Sequence, residues 1–314
     1  MVAWLFDAPV ADARRPSASF PRTHLATHFH TPDPRQSNGA RREFVNIGHR
    51  GASAHAPENT FAAYDLALAH GAHYIEIDVR STLDEIPVVV HDPSVERTGW
   101  LDQGPGSGLV ATKTLQELRE LDAGRWFGRS SPEGQRAHPF SGLRIPTLDE
   151  VLGRYRHCLR FCIELKDPHE EATEREVLRL LRQHSLDGPK NGHWRVLLLS
   201  FERECLMRLR ALHTSIPLVL LLPQGAVTRN RDELADLAGY TTAIAPHRAE
   251  VGRTLVTEAH ERGLSVHPYT VNETSDMVRL LSAGVDGMIT DFPDRLDALL
   301  WERFMIERAT VDTS

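Results

Sequence analysis

Residues 47–92, IGHRGASAHAPENTFAAYDLALAHGAHYIEIDVRSTLDEIPVVVHD, decide how this chain reads. Histidines and acids stand at the ends of three short apolar runs. Residues 45–47 lead into His49-Arg50-Gly51, residues 74–79 carry Glu76 and Asp78, and residues 87–90 deliver His91-Asp92. Side chains alternate faces along a strand, so Glu76 and Asp78 share one face while Ile75, Ile77 and Val79 share the other. Burying two like charges together is costly unless a cation sits between them. A divalent metal with oxygen ligands, flanked by two histidines suited to proton transfer near neutral pH, answers that cost. Taken alone, an E-x-D pair is more often a solvated strand edge, and one histidine a polar strand end. The ordered set H-R-G, P-E-N-T, E-x-D and H-D outweighs those readings.

The composition narrows the classes. A chain of 314 residues can form one large domain or two small ones. Its 36 basic and 43 acidic residues give a formal charge of −7 with no Lys/Arg tract, which argues against nucleic acid or an anionic membrane as the main partner. Cys158, Cys162 and Cys205 are odd in number, lack metal spacing and lie in or beside apolar runs. That speaks against a disulfide framework and for a reducing, cytoplasmic setting. No apolar run reaches the length of a membrane span, and residues 1–10 make a poor signal peptide, so no stable membrane insertion is expected. Residues 1–43 read as a mobile N-terminal extension. His24, His28 and His30 could be imagined there as a metal site, but Pro21, Pro32 and Pro34 among them favour the extension.

From Phe44 onward, apolar runs alternate with amphipathic segments, the pattern of parallel βα units. The expected architecture is α/β, a (β/α)8 barrel over 44–308 with a small insertion, about 93–146, after the third strand and a tail at 309–314. Nine strand candidates are one too many, and residues 81–86 are too short to hold a helix. Either the second and third strands pair like a hairpin, or the short run 243–245 lies outside the barrel. An open doubly wound sheet is the alternative, but no glycine-rich phosphate loop follows the first strand. Thr114/Glu117 and Thr147/Glu150 spell capping boxes. Asn59 and Asn272 are expected to cap helices, and a last helix at about 294–307 to pack Leu296, Leu299, Leu300 and Phe304.

Barrel enzymes carry their chemistry at the C-terminal strand ends. Those positions hold His49-Arg50, Glu76, Asp78, His91-Asp92, Glu164, Lys166, Ser200, His267, Tyr269 and Asp291. Three carboxylates (Glu76, Asp78, Glu164) beside two cations (Arg50, Lys166) suit a metal-bridged phosphate. Hard oxygen ligands favour Mg²⁺ or Ca²⁺ over zinc.

These motifs in this order resemble the glycerophosphodiester phosphodiesterase family. The segment Leu121-Asp122-Ala123-Gly124-Arg125-Trp126-Phe127 is similar to the family's own, and the likeness covers residues 45–295. The resemblance implies His49 and His91 as the acid/base pair, Glu76, Asp78 and Glu164 as ligands of a divalent metal, and Arg50 and Lys166 as phosphate binders. Glu58 would orient Arg50 or its loop. Tyr269 stands where the family usually has tryptophan before T-V-N, which bears on the fit of the alcohol or glycerol group. Asp84-Glu85 replaces an Asp-Gly turn and reads as neutral. The implied reaction hydrolyses a small-molecule glycerophosphodiester to glycerol 3-phosphate and an alcohol. Attack by the glycerol 2-hydroxyl through a cyclic phosphate and direct attack by water both fit, and oligomeric state stays open. A phospholipase D-like activity on lysophospholipids or sphingolipids could use the same residues, but would need an apolar groove or interfacial surface. A binding barrel without catalysis is disfavoured, because every catalytic position is filled.

Overall fold

A computed structural model describes residues 44–128, 139–166, 171–212, 214–226 and 231–311. Within them the apolar runs become strands β1 (Val45–Gly48), β2 (Tyr74–Ser81), β3 (Pro87–Val89), β4 (Trp100–Leu101), β5 (Gly104–Pro105) and β6 (Arg160–Leu165). Strands β7 (Val196–Ser200), β8 (Leu218–Leu222), β9 (Ala243–Pro246), β10 (Ser265–Val266) and β11 (Gly287–Thr290) complete the set. The amphipathic segments become α1 (Phe61–Ala69), α2 (Leu115–Arg119), α3 (Leu148–Tyr155), α4 (Glu171–Gln183), α5 (Arg203–Ala211), α6 (Arg231–Ala238), α7 (Arg253–His260), α8 (Thr274–Ala283) and α9 (Pro293–Val311). Among the described residues, no helix is long and apolar enough to cross a membrane.

Eight strands pair in parallel in the order β10-β9-β8-β7-β6-β2-β1-β11. Hydrogen bonds from Asp286 N to Val266 O and from Ile289 N to Pro268 O, each 3.0 Å, draw the two ends of that sheet together. The result is a nearly closed (β/α)8 barrel. The ninth candidate is β3, which folds back antiparallel on β2 with Val79 opposite Val89. The hairpin reading therefore holds, and β9 takes its place in the barrel between β8 and β10.

Alternation along the strands sorts the side chains into two layers. Ile75, Ile77, Val79 and Ile163 pack outward with helix residues such as Leu152 and Leu181. Val45, Ile47, Tyr74, Cys162, Leu199 and Leu221 fill the barrel interior. Glu76 and Asp78 follow Tyr74 on the inward face, and register sets Asp78 opposite Glu164 on β6. The insertion after β3 builds a small core of its own from Val88, Val95, Val110, Leu118 and Ile145. Both capping boxes form.

Four local expectations need correction. The N-cap of α1 is Thr60, whose hydroxyl accepts from Ala63 N, because Asn59 sits at φ 56° and turns its side chain inward to Asp78. Helix α8 starts after Glu273 with no side-chain cap, because Asn272 bonds to Asp291 instead. Leu296 is buried and Leu299 and Leu300 pack against the core, but Phe304 is exposed beside Trp301. The Asp84-Glu85 turn is not neutral in backbone terms either: Glu85 holds φ 60°, the left-handed region where glycine carries no penalty. Residues 1–43, with His24, His28 and His30, and residues 312–314 lie outside the described residues.

Candidate active site

The turn after β1 is shaped by two residues at positive φ, Arg50 at 53° and Gly51 at 90°. A Cβ on Gly51 would lie 2.7 Å from Ala63, so glycine is required there for space as well as conformation. The turn aims Arg50 N at Glu76 Oε2, 3.0 Å away. It also brings the Arg50 guanidinium to Asp78 Oδ2 (3.3 Å) and Glu58 Oε1 (2.9 Å). From β6, Lys166 reaches Glu164 Oε1 at 2.6 Å and Asp78 Oδ1 at 3.1 Å. Asn59 donates to Asp78 Oδ2 at 2.8 Å and is itself held by the Tyr64 hydroxyl.

Glu76, Asp78 and Glu164 are 3%, 1% and 6% exposed, so their charges meet almost no water. Burial, then repulsion from Asp78 and Glu164, pushes Glu76 well above the usual carboxylate range. Burial and the charge of Asp78 likewise raise Glu164 to about 7. Burial would raise Asp78 too, but Lys166 and Arg50 outweigh it and hold that carboxyl below its usual range. Three acids against two cations leave the cluster short of positive charge. One oxygen from each acid lies within 4.8 Å of the other two, and Asp78 Oδ1 lacks a well-aligned hydrogen bond despite the nearby ammonium. An all-oxygen donor set of this kind fits a hard divalent cation.

Both histidines are held at Nδ1 by carboxylates. His49 Nδ1 lies 2.6 Å from Asp291 Oδ1, and Asp291 also accepts from Ser53 Oγ and Asn272 Nδ2. Burial opposes ionisation of Asp291, but these contacts, the His49 bond first, bring it down to about 2. His91 Nδ1 lies 2.7 Å from Asp92 Oδ1. Arg97 clamps Asp92 with two hydrogen bonds and Glu58 with two more. A continuous charged path thus runs from His91 through Asp92, Arg97, Glu58 and Arg50 to Asp78. Burial lowers the His91 imidazole from its usual value, against the pull of Asp78.

His49, Arg50, Glu76, His91, Glu164, Lys166 and Tyr269 line one cavity, whose other wall is apolar: Leu199, Phe201, Leu221 and Ile289. Asp78 sits against its two cations, and Glu58 stands beyond Arg50. The Tyr269 hydroxyl donates to Leu222 O at 3.1 Å, and its ring meets Phe201 edge to face. Of the remaining strand-end residues, Ser200 bonds to backbone and His267 lies buried outside the cavity lining. The sequence pattern assigns no chemical role to Asp291, Asp92 or Arg97, and gives Asn59 only a helix cap. Asp92 adjoins His91 and Asp291 ends a strand, which is a weak signal for each. Nothing in the sequence pattern marks Arg97.

Known proteins are similar to this chain in sequence and in fold. The model of the glycerophosphoryl diester phosphodiesterase family matches residues 49–295. The glycerophosphodiester phosphodiesterase of Bacillus subtilis (strain 168) is 35% identical over 253 residues, covering 80% of this chain and 84% of that protein. A putative glycerophosphoryl diester phosphodiesterase from Silicibacter pomeroyi DSS-3 superposes with a TM-score of 0.72 at 30% identity, over 83% of this chain and 94% of that one. An Oleispira antarctica phosphodiesterase, solved in complex with the product sn-glycerol-3-phosphate, gives a TM-score of 0.69 at 30% identity, over 81% and 95%. Sequence, barrel and cavity together make this chain an enzyme, a phosphoric diester hydrolase that belongs to the glycerophosphoryl diester phosphodiesterase family.

Proposed function

We propose that this chain hydrolyses glycerophosphodiesters to glycerol 3-phosphate and a free alcohol. His49 and His91 act as the acid/base pair, and Glu76, Asp78 and Glu164 hold Mg²⁺ or Ca²⁺. The observation that carries this reading is one cavity lined by two carboxylate-held histidines, two cations and Glu76 and Glu164 of the buried acidic trio, with Asp78 directly behind the cations. The product bound to the Oleispira antarctica phosphodiesterase supports the same product here.

Glu76, Asp78 and Glu164 would hold a hard divalent cation, which when bound would supply positive charge to the site. Arg50 and Lys166 add charge-assisted contacts to the same group. With Nδ1 of each histidine engaged by a carboxylate, Nε2 is the nitrogen left for the substrate. One imidazole takes a proton there from the attacking oxygen, and the other returns one to the departing alcohol oxygen. Glu58 holds Arg50 in place, and Tyr269 forms part of the wall beside the alcohol or glycerol group. A cytoplasmic setting accords with three cysteines that stand free.

The test is to assay purified protein on glycerophosphocholine and lysophosphatidylcholine, with and without EDTA. Glycerol 3-phosphate should appear from glycerophosphocholine and cease under chelation. Choline release from lysophosphatidylcholine alone would replace this reading with the phospholipase D-like one.

A further inference from the structure

Outside that cavity the chain assembles a second set of metal-ligating side chains, built mainly from imidazoles. His55 lies in the loop after β1, His70 is the C-cap of α1, and Asp294 sits in the first turn of α9. One ligand atom of each falls within 4.8 Å of the other two, and all three residues are partly exposed, so an ion can enter. His55 Nε2 and Asp294 Oδ1 are 3.0 Å apart. The rings of His55 and His70 meet edge to face at 5.2 Å, and Phe292 closes on His55 from another side at 5.6 Å. Zinc bonds of about 2.0–2.1 Å in a tetrahedron separate ligand atoms by about 3.4 Å, a spacing that small side-chain rotations reach from here.

An ordinary ion pair accounts for His55 and Asp294. It does not account for His70, whose Nδ1 is buried with no hydrogen-bond partner. Its ring is placed by packing beside the other two ligands. We propose that His55, His70 and Asp294 form a second divalent-metal site, selective for a borderline ion of the zinc class, with water in the open position. Two imidazoles and one carboxylate suit Zn²⁺, Co²⁺ or Ni²⁺, whereas the all-oxygen trio suits Mg²⁺ or Ca²⁺. The two sites therefore differ in the ions they take. His55 follows the turn that carries His49, and Asp294 follows Asp291 at the end of β11. An ion here ties together the two loops that hold the His49–Asp291 pair.

Co²⁺ titrated into metal-free, full-length protein is the test, read by its visible absorption. One equivalent with nitrogen ligation should appear and be displaced by Zn²⁺. His55→Gln and His70→Gln should each weaken Co²⁺ binding about 100-fold or more, the upper end of what losing a supporting residue alone costs. Glu76→Gln should leave the absorption intact. Circular dichroism of the metal-free variants checks folding, and Asp294→Asn decides the matter if a histidine variant does not fold. Absorption unchanged in the histidine variants would assign the ion to other histidines, such as His24, His28 and His30. Loss in Glu76→Gln would assign it to the acidic trio. Either result, or no absorption at all, overturns the proposal.

Discussion

A carboxylate at Nδ1 fixes which imidazole nitrogen faces the cavity and stabilises the protonated ring during proton transfer. Asp291 does this for His49 and Asp92 does it for His91. His49→Ala should therefore lower kcat by about 10²–10⁴-fold with little change in KM or melting temperature. A metal-loaded, folded His49→Ala protein with unaltered turnover would remove His49 from the reaction. The histidines themselves were legible, since each ends an apolar run. The partner of His49 was not, because His49 and Asp291 lie 242 residues apart and meet only when β11 closes on β1. Lys166 poses a sharper question, since Glu164 and Asp78 both occupy its ammonium. With a divalent cation held by Glu164 and Asp78, Lys166 would be free to contact phosphate. Lys166→Ala should then cut kcat/KM by at least about 2 kcal/mol in metal-loaded protein. Wild-type kinetics in that variant would make Lys166 a partner of Glu164 and nothing more.

At the scale of elements, strand and helix order could be read from hydrophobic period, because two-layer burial imposes it. Helix starts were less legible: Asn59 and Asn272 have the right chemistry for caps, but tertiary partners, Asp78 and Asp291, claim their side chains. The pairing of β2 with β3 was left open as well, since a short apolar run does not say which neighbour it joins. The joint between β1 and β2 also titrates. His73 N donates to Asn46 O, and Asn46 N donates back to His73 Nδ1 at 2.9 Å, which requires an unprotonated ring nitrogen. Burial, with Arg160 nearby, lowers the His73 imidazole to about 4. Between that value and the ordinary one near 6.5, the unfolded chain binds more protons than the folded one, so stability falls as pH falls. The loss from pH 7 to pH 5 should be about 2 kcal/mol from this residue. Urea midpoints at the two pH values check it. His73→Gln, which keeps an acceptor for Asn46 N, should show a correspondingly smaller drop, and an identical drop would clear His73 of the effect.

For the whole molecule, the barrel is closed around a charge it does not balance. Burial and mutual repulsion raise Glu76 and Glu164, so at these two groups the folded metal-free protein holds more protons than the unfolded chain above the ordinary carboxylate range. These two groups favour folding less as pH rises from about 4.5 through 7, opposite in sign to His73. A divalent cation held by the trio would reverse that, because it would bind the deprotonated carboxylates of the folded state. At a concentration of 100 times its Kd it adds about 2.7 kcal/mol, or roughly 5–10 °C in melting temperature for a domain of this size. The gain from Mg²⁺ or Ca²⁺ should therefore be small at pH 5 and large at pH 8. Taking the difference with and without metal at each pH cancels the His73 contribution. Glu76→Gln keeps an acceptor for Arg50 N but removes one of the crowded charges. It should melt higher than wild type without metal at pH 8 and lose most of the metal-induced gain. These hard ions are poor matches for the His55, His70 and Asp294 site, so the measurement isolates the acidic trio. A metal-induced gain that is the same at both pH values, or that survives Glu76→Gln, would place the cation somewhere other than among Glu76, Asp78 and Glu164.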